Sequence, residues 1–232
     1  MIERRPYASL GHAQHGWLEA RHHFSFADYH DPQRLHWGRL RVWNDDWIAP
    51  HSGFPAHPHQ DMEIITYVRE GAISHRDSLG NQGRTAAGDV QVMSAGSGIV
   101  HSEYNLEDQP TRIFQIWIMP EQRGLPPSWG NRPFPRGERS GAWVVLASGL
   151  PGDDQALPIR ANARVLAASL AAGQTLQYSP QAGRKLYLVP ALGTLEVNGV
   201  RAECGDGLAI AGEELLQISA HAASEIVLVD AA

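Results

Sequence analysis

The sequence predicts an all-β protein with two β domains in tandem, and three observations carry that expectation. Short apolar or alternating runs, rich in Val, Ile and Tyr, recur along the chain between Gly, Pro, Asn and Asp. No long segment sustains the period of a helix. A stretch dense in proline and glycine divides the 232 residues beyond their middle. Many short strands with turn signals between them suit sandwiches or barrels, and this length accommodates two small domains.

Taken in order, the first half reads as strands at residues 39–47 (RLRVWNDDW), 62–68 (MEIITYV), 88–94 (GDVQVMS) and 112–119 (RIFQIWIM). The second half does so at 142–147 (AWVVLA), 163–170 (ARVLAASL), 184–189 (RKLYLV), 193–199 (GTLEVNG), 207–212 (GLAIAG) and 225–230 (EIVLVD). Two stretches, HDPQRLHWG and PPSWGNRP, could each hold a turn of helix, and Asp45-Asp46 reads as a turn. Residues 120–141, PEQRGLPPSWGNRPFPRGERSG, contain five prolines and four glycines and read as a linker or surface crossover. The division is placed within it, giving domains of residues 1–135 and 136–232.

Composition narrows the function. Apolar residues make up 43% and charged residues 19%, enough for a core and too apolar for wholesale disorder. Lys and Arg total 19 against 25 acids, a net charge of −6, so a sequence-independent nucleic-acid binder is not expected. Cys204 stands alone, which excludes an internal disulfide and a thiolate metal cluster. Any metal is then held by nitrogen and oxygen. The N-terminus MIERRPYASLGHAQHGW lacks the apolar core of a secretory signal, and no run of about 18 apolar residues could span a bilayer. A cytoplasmic, monomeric protein without membrane contact is expected.

Histidine is the informative residue. Of twelve, eleven lie at or before position 101 and only His221 follows, so the halves cannot share one chemistry. The stretch PAHPHQDMEIITYVREG (55–71) sets His57 and His59 one residue apart, and GDVQVMSAGSGIVHSEYN (88–105) ends with His101 and Glu103. Residues two apart in a strand share a face, so two such pairs on neighbouring strands could converge on one ion. A single His-x-His is more often two histidines on one solvated face. The second stretch, a strand and glycine-rich turn leading into His-x-Glu, shifts the balance toward a metal. Three imidazoles and a carboxylate in an octahedral shell would leave two positions open for small ligands. Parity alone also puts Glu63 on the face of His57 and His59, so spacing leaves the identity of the carboxylate open.

The halves look like a diverged repeat: HPH, Tyr67, Gly71 and GDVQVM in the first, SPQ (179–181), Tyr187, Gly193 and GDGLAI in the second. Counting from the shared glycines sets His57 against Ser179, His101 against Ile218 and Glu103 against Ala220. The second domain should therefore be metal-free.

Gly53, His57, His59, Glu63 and Gly71 resemble the first cupin motif, and Gly88, Ser94, Gly96, His101 and Asn105 the second, with small departures in spacing. Those departures, together with HHFSFADYHDP, DMEIITYVREG, MSAGSGIVHSEYN and FQIWIMP, make the chain similar to the pirin family, in particular to its bacterial quercetin 2,3-dioxygenase-like branch. The resemblance implies two cupin-type (jelly-roll) barrels, a bicupin, with metal in the N-terminal barrel alone. It implies His57, His59, His101 and Glu103 as ligands, leaving Glu63 as a hydrogen-bond partner of the site or a substitute ligand. It points to Fe(II), while the donor set also admits nickel, cobalt, copper, manganese or zinc. The implied reaction is cleavage of a flavonol, or another enolic or phenolic molecule, by dioxygen with release of carbon monoxide, Glu103 taking the substrate proton. An alternative is an iron-binding regulator that engages a transcription factor or enzyme according to metal oxidation state; a third is a non-redox isomerase or hydrolase.

The remaining residues have plainer expectations. His22 and His23, being adjacent, face opposite ways as packing or surface residues. His12, His15, His30, His36 and His51 lie in polar, loop-like sequence and should be solvated. His75 should sit on an exposed sheet position or at the outer edge of the site. Trp37, Trp43 and Trp47 suit a core or interface, while Phe26, Met93 and Trp117 could line a cavity.

Overall fold

The computed structural model describes residues 1–134 and 136–232. The division drawn from sequence falls on Pro135, outside the described residues. The first half holds β1 (Ile2–Arg5), β2 (Gly11–Gln14), β3 (Leu18–His22), β4 (Leu40–Ile48), β5 (Ser52–His59), β6 (Glu63–Glu70), β7 (Ala72–Asp77), β8 (Gln82–Ala86), β9 (Val90–Ser94), β10 (Ile99–Asn105), β11 (Thr111–Ile118) and β12 (Ser128–Arg132). The second holds β13 (Val144–Ser148), β14 (Leu157–Pro158), β15 (Ala163–Leu170), β16 (Thr175–Tyr178), β17 (Lys185–Leu192), β18 (Thr194–Val197), β19 (Val200–Glu203), β20 (Gly207–Ala211), β21 (Leu216–Ala220) and β22 (Ser224–Ala231).

These strands form an all-β bicupin. Each barrel has a seven-stranded and a four-stranded sheet, and the orders match: β12-β9-β6-β11-β4-β3-β2 against β1-β20-β17-β22-β15-β13-β14, and β5-β10-β7-β8 against β16-β21-β18-β19. The repeat seen in sequence is thus a repeat of topology. One strand crosses over: β1 pairs β20, Ile2 opposite Ile210, and completes the large sheet of the second half.

The large sheets pack face to face. One side of β4, β6 and β11 offers Trp43, Ile65, Tyr67, Phe114 and Ile116; β15, β17 and β22 meet it with Val165, Tyr187, Val189, Val227 and Val229, and all of these are buried in one cluster. Strands covered on both faces need apolar residues on both, which is why EIITYVRE and EIVLVD read as continuous apolar runs. The second barrel is filled by a core of its own that includes Leu188, Leu195, Ile218, Ala220 and Leu228. The first barrel is not filled this way, and its interior holds the site described below.

Several expectations are corrected. Asp45 and Asp46 lie inside β4, each 3% exposed, rather than in a turn. Asp45 faces the second half, where Arg69 Nη1 donates to it at 2.6 Å and Arg69 Nη2 donates to the Ala191 carbonyl. PPSWGNRP supplies edge strand β12 and HDPQRLHWG forms turns; among the described residues the helical segments are the 3₁₀ turns Tyr7–Ser9 and Arg136–Arg139. SPQ is not the counterpart of HPH either. Residues 60–62 join β5 to β6, whereas the longer loop 179–184 joins β16 to β17, so counting across it slips. Leu176, not Ser179, stands opposite Ile218, as His57 stands opposite His101. Among the described residues no helix is long and apolar enough to cross a membrane.

Candidate metal centre

Strands β5 and β10 pair antiparallel with His57 opposite His101 and His59 opposite Ile99. The register slips between His101 and Glu103, because Glu103 pairs with Phe54. One extra residue is thereby taken up in β5 near Pro55-Ala56, a bulge of the kind that re-aims side chains. Its effect is to turn Phe54, His57 and His59 into the barrel together, although Phe54 and His57 are an odd number of residues apart. Gly53 permits the close pairing, since a Cβ there would lie 2.2 Å from the Glu103 carbonyl oxygen.

The three rings meet. Their centroids are 4.7 Å apart for His57–His59, 4.5 Å for His57–His101 and 4.9 Å for His59–His101. One ring nitrogen from each lies within 4.8 Å of the others. Local bonds fix the tautomers of two. His57 Nδ1 donates to the Pro55 carbonyl at 2.7 Å, which leaves a lone pair on Nε2. His75 Nε2 donates to Asp77 Oδ2 at 3.0 Å, so His75 Nδ1 is the acceptor for His101 Nδ1 at 3.5 Å, and His101 Nε2 also keeps its lone pair. These two Nε2 atoms face each other at 3.1 Å. Two lone pairs so aimed repel unless a cation lies between them; this donor set fits a metal ion. Burial, then the neighbouring rings, lowers His59 to about 4 and His101 to about 3, so both are neutral at ordinary pH.

Glu103 stands behind His101 and is 2% exposed. With His75 and His101 it forms a second group whose donor atoms lie within 4.8 Å of one another. Gln91 Nε2 at 2.6 Å and Thr66 Oγ1 at 3.1 Å donate to its Oε1, and Gln115 Nε2 donates to Oε2 at 2.9 Å. Glu63 is elsewhere. Residues 60–62 form a turn between two different sheets, so parity does not carry from His59 to Glu63. Ile64 and Thr66 face the barrel interior, while Glu63, on the opposite face, accepts from Ser94 Oγ at 2.5 Å. Burial raises its carboxyl.

Beside the rings opens a cavity of about 360 Å³. Apolar walls come from Leu18, Ala20, Phe26, Phe54, Ile64 and Trp117, and a polar patch from His22, Asn44, Asp46 and Gln115. Trp117 meets His59 edge to face at 4.9 Å, and Phe26 meets Trp117 at 5.3 Å. His22 Nδ1 lies 2.9 Å from Asn44 Oδ1, and burial lowers this imidazole.

The Pirin family model matches residues 3–118, and that of the quercetinase C-terminal cupin domain matches residues 144–231. The chain belongs to the pirin family. Relatives of this pirin include a pirin-like protein of Caulobacter vibrioides, 63% identical over all of both chains, and the quercetin 2,3-dioxygenase of Escherichia coli K12, 41% identical over 99% of this chain and 98% of the relative. Among solved structures, the bacterial pirin YhhW of E. coli in complex with nickel(II) superposes with a TM-score of 0.94 at 40% identity, covering 100% of this chain and 99% of the other.

In this pirin the three histidines singled out from sequence converge, with Glu103 adjoining His101. Phe26 and Trp117 line the cavity, whereas Met93 packs with Ile64, Ala95 and Ile99. His12, His15, His30, His36 and His51 are exposed. His22 and His23 do face opposite ways: His22 lines the cavity and His23 packs on Tyr187. His75 is 1% exposed, not at an exposed sheet position, because the Trp129 ring of β12 stacks on it at 4.6 Å. Thr66, Gln91, Gln115, Asn44 and Asp46 were not expected at the site. For two of them the signal was nonetheless there: Gln91 in VQVMS and Gln115 in RIFQIWI are polar residues flanked on both sides by apolar ones, and such residues become buried and need a partner.

Proposed function

We propose that this pirin is a metal-dependent dioxygenase of the quercetin 2,3-dioxygenase type, acting on a flavonol or a related enolic or phenolic molecule. The observation that carries the reading is the trio of converging imidazoles opening onto an apolar cavity whose volume, about 360 Å³, falls within the range of about 300–1,000 Å³ common for small-molecule sites. His57, His59, His101 and Glu103 would hold one divalent transition metal. The nickel(II) complex of the E. coli relative supports such a site, and Fe(II) is the metal to which the family resemblance points. When bound, the metal supplies Lewis acidity toward the substrate's 3-hydroxyl and a place for dioxygen beside it.

The protein's own groups do the rest. His57 is held by the Pro55 carbonyl and His101 by His75, so two rings keep fixed orientations with lone pairs inward. Glu103 is the group that takes the proton of the 3-hydroxyl. Thr66, Gln91 and Gln115 grip both its oxygens and hold the carboxylate at one position. Trp117, Phe26 and Phe54 present ring faces and edges to a flat aromatic substrate and keep water away from it. The deprotonated flavonol then reacts with dioxygen at carbons 2 and 4. The two bonds to carbon 3 break, carbon 3 leaves with its own oxygen as carbon monoxide, and both atoms of dioxygen remain in the depside.

The test is turnover of quercetin under ¹⁸O₂ by protein loaded with Fe(II) or Ni(II) without air. A depside carrying two heavy oxygens is expected; unlabelled product, or none from protein shown to hold metal, would refute the assignment.

A further inference from the structure

The large sheet of the first barrel presents its inner residues in rows that run across the strands. One row is Thr66, Gln115, Asn44 and His22, each directly opposite the next on adjacent strands. Every member has a polar partner: Thr66 and Gln115 hold Glu103, and Asn44 and His22 hold each other. The next row is Val68, Ile113, Asp46 and Ala20. It holds three apolar residues and one acid.

Asp46 is 3% exposed and lines the cavity, and its Oδ1 is buried with no hydrogen-bond partner among the described residues. Buried polar atoms in native proteins are nearly always satisfied, so each exception needs a reason. An ion pair is not the reason, because the arginines beside this stretch, Arg69 and Arg112, face Asp45 on the other side of β4. Nor does packing explain it, since the row's other members belong to a cluster with Leu18 and Ile48 into which an aliphatic side chain would fit. Burial first, then the charges of Asp45 and Glu103, pushes the Asp46 carboxyl well up and favours its neutral form, which can both donate and accept.

We propose that Asp46 is a specificity-determining residue: its carboxyl hydrogen-bonds a peripheral hydroxyl of a polyhydroxylated aromatic substrate whose 3-hydroxyl is engaged at the imidazole trio. The subsite rests on the dioxygenase reading and refines it to substrates that carry a second hydroxyl. It lies on β4 of the large sheet, whereas the trio comes from β5 and β10 of the small one, so a substrate that reaches both is oriented by both. A site built around a hydroxyl discriminates strongly against the analogue that lacks it, because its own polar group is then left unpaired.

The experiment compares quercetin with 3-hydroxyflavone, which shares the skeleton and the 3-hydroxyl but has no other. Affinity is read without air by quenching of tryptophan fluorescence, in metal-loaded wild type, Asp46→Leu and Asp46→Asn. Wild type should favour quercetin by roughly 10- to 100-fold. Asp46→Leu should abolish the preference by weakening quercetin alone, leave 3-hydroxyflavone within about twofold, and melt no lower than wild type. Asp46→Asn, which keeps the shape, should reduce the preference. Equal losses for both ligands, a sharply lower melting temperature for Asp46→Leu, or an undiminished preference in either variant would overturn the subsite. Equal binding of the two flavonols by wild type would overturn the subsite alone. Binding of neither would overturn the dioxygenase reading and the subsite with it.

Discussion

His57 and His101 point their Nε2 atoms at each other across 3.1 Å, each ring braced from behind by a hydrogen bond through Nδ1. Neither can turn away without breaking that brace. A cation between them would relieve the repulsion of the lone pairs, and His59 would supply the third donor. Replacing His59 by alanine should weaken metal binding by more than about 100-fold, as measured by competition with a chelator of known affinity. A His59→Ala protein that holds metal as tightly as wild type would show the trio is not the site.

The two glutamates make a sharper contrast. Glu63→Gln should leave metal content near that of wild type, because Glu63 faces Ser94 rather than the imidazoles. Glu103→Gln should lower it, since its neighbours Gln91 and Gln115 are arranged to hold a carboxylate. Elemental analysis of the purified variants decides. Large loss in Glu63→Gln with none in Glu103→Gln would mean the roles are exchanged.

His75 acts behind His101, as the acceptor that keeps the latter's proton on Nδ1, and Asp77 in turn fixes His75. Outer partners of this kind are worth about 10- to 100-fold in metal affinity. His75→Phe, which preserves stacking on Trp129, should lose that much while its melting temperature stays close to wild type. Unchanged affinity would show that His101 needs no such support.

His23 offers a test through pH. It is fully buried against Tyr187 and Trp43, and burial, then Arg5, pushes its imidazole well below the ordinary histidine value of about 6.5. As pH falls through 6.5 the unfolded chain takes up a proton that the folded chain refuses, so stability drops toward acid. Between that point and the titration of the folded imidazole, the slope approaches about 1.4 kcal/mol per pH unit. His23→Phe should remove it, so that the stability difference between variant and wild type grows in the variant's favour from pH 6.5 downward. Parallel stability curves would mean that His23 is protonated in the folded protein.

Much of this was legible in the sequence because it rests on local pattern. The strand runs, the glycine-marked repeat, and the confinement of the paired histidines to one half each depend on residues a few positions apart. What escaped depends on pairing between distant segments. Glu63 was left open as a ligand because parity was carried through residues 60–62, where the chain turns from one sheet to another. SPQ was set against HPH because counting ignored a longer loop. Asp46 was read as a turn residue because an acidic pair inside a strand is costly; only the assembled sheets show Asp45 meeting Arg69 on one face and Asp46 entering the cavity on the other. The short strand β1 has too few residues to announce itself, and it exists because β20 offers an edge.

The central claim is tested most directly by measuring carbon monoxide release from quercetin in air, for wild type and His59→Ala, each first exposed without air to the same excess of Fe(II) or Ni(II). Release by wild type that scales with bound metal and vanishes in His59→Ala is the predicted result. Equal release from both, or none from wild type shown to carry one metal per chain, would contradict a flavonol-cleaving centre at the imidazole trio.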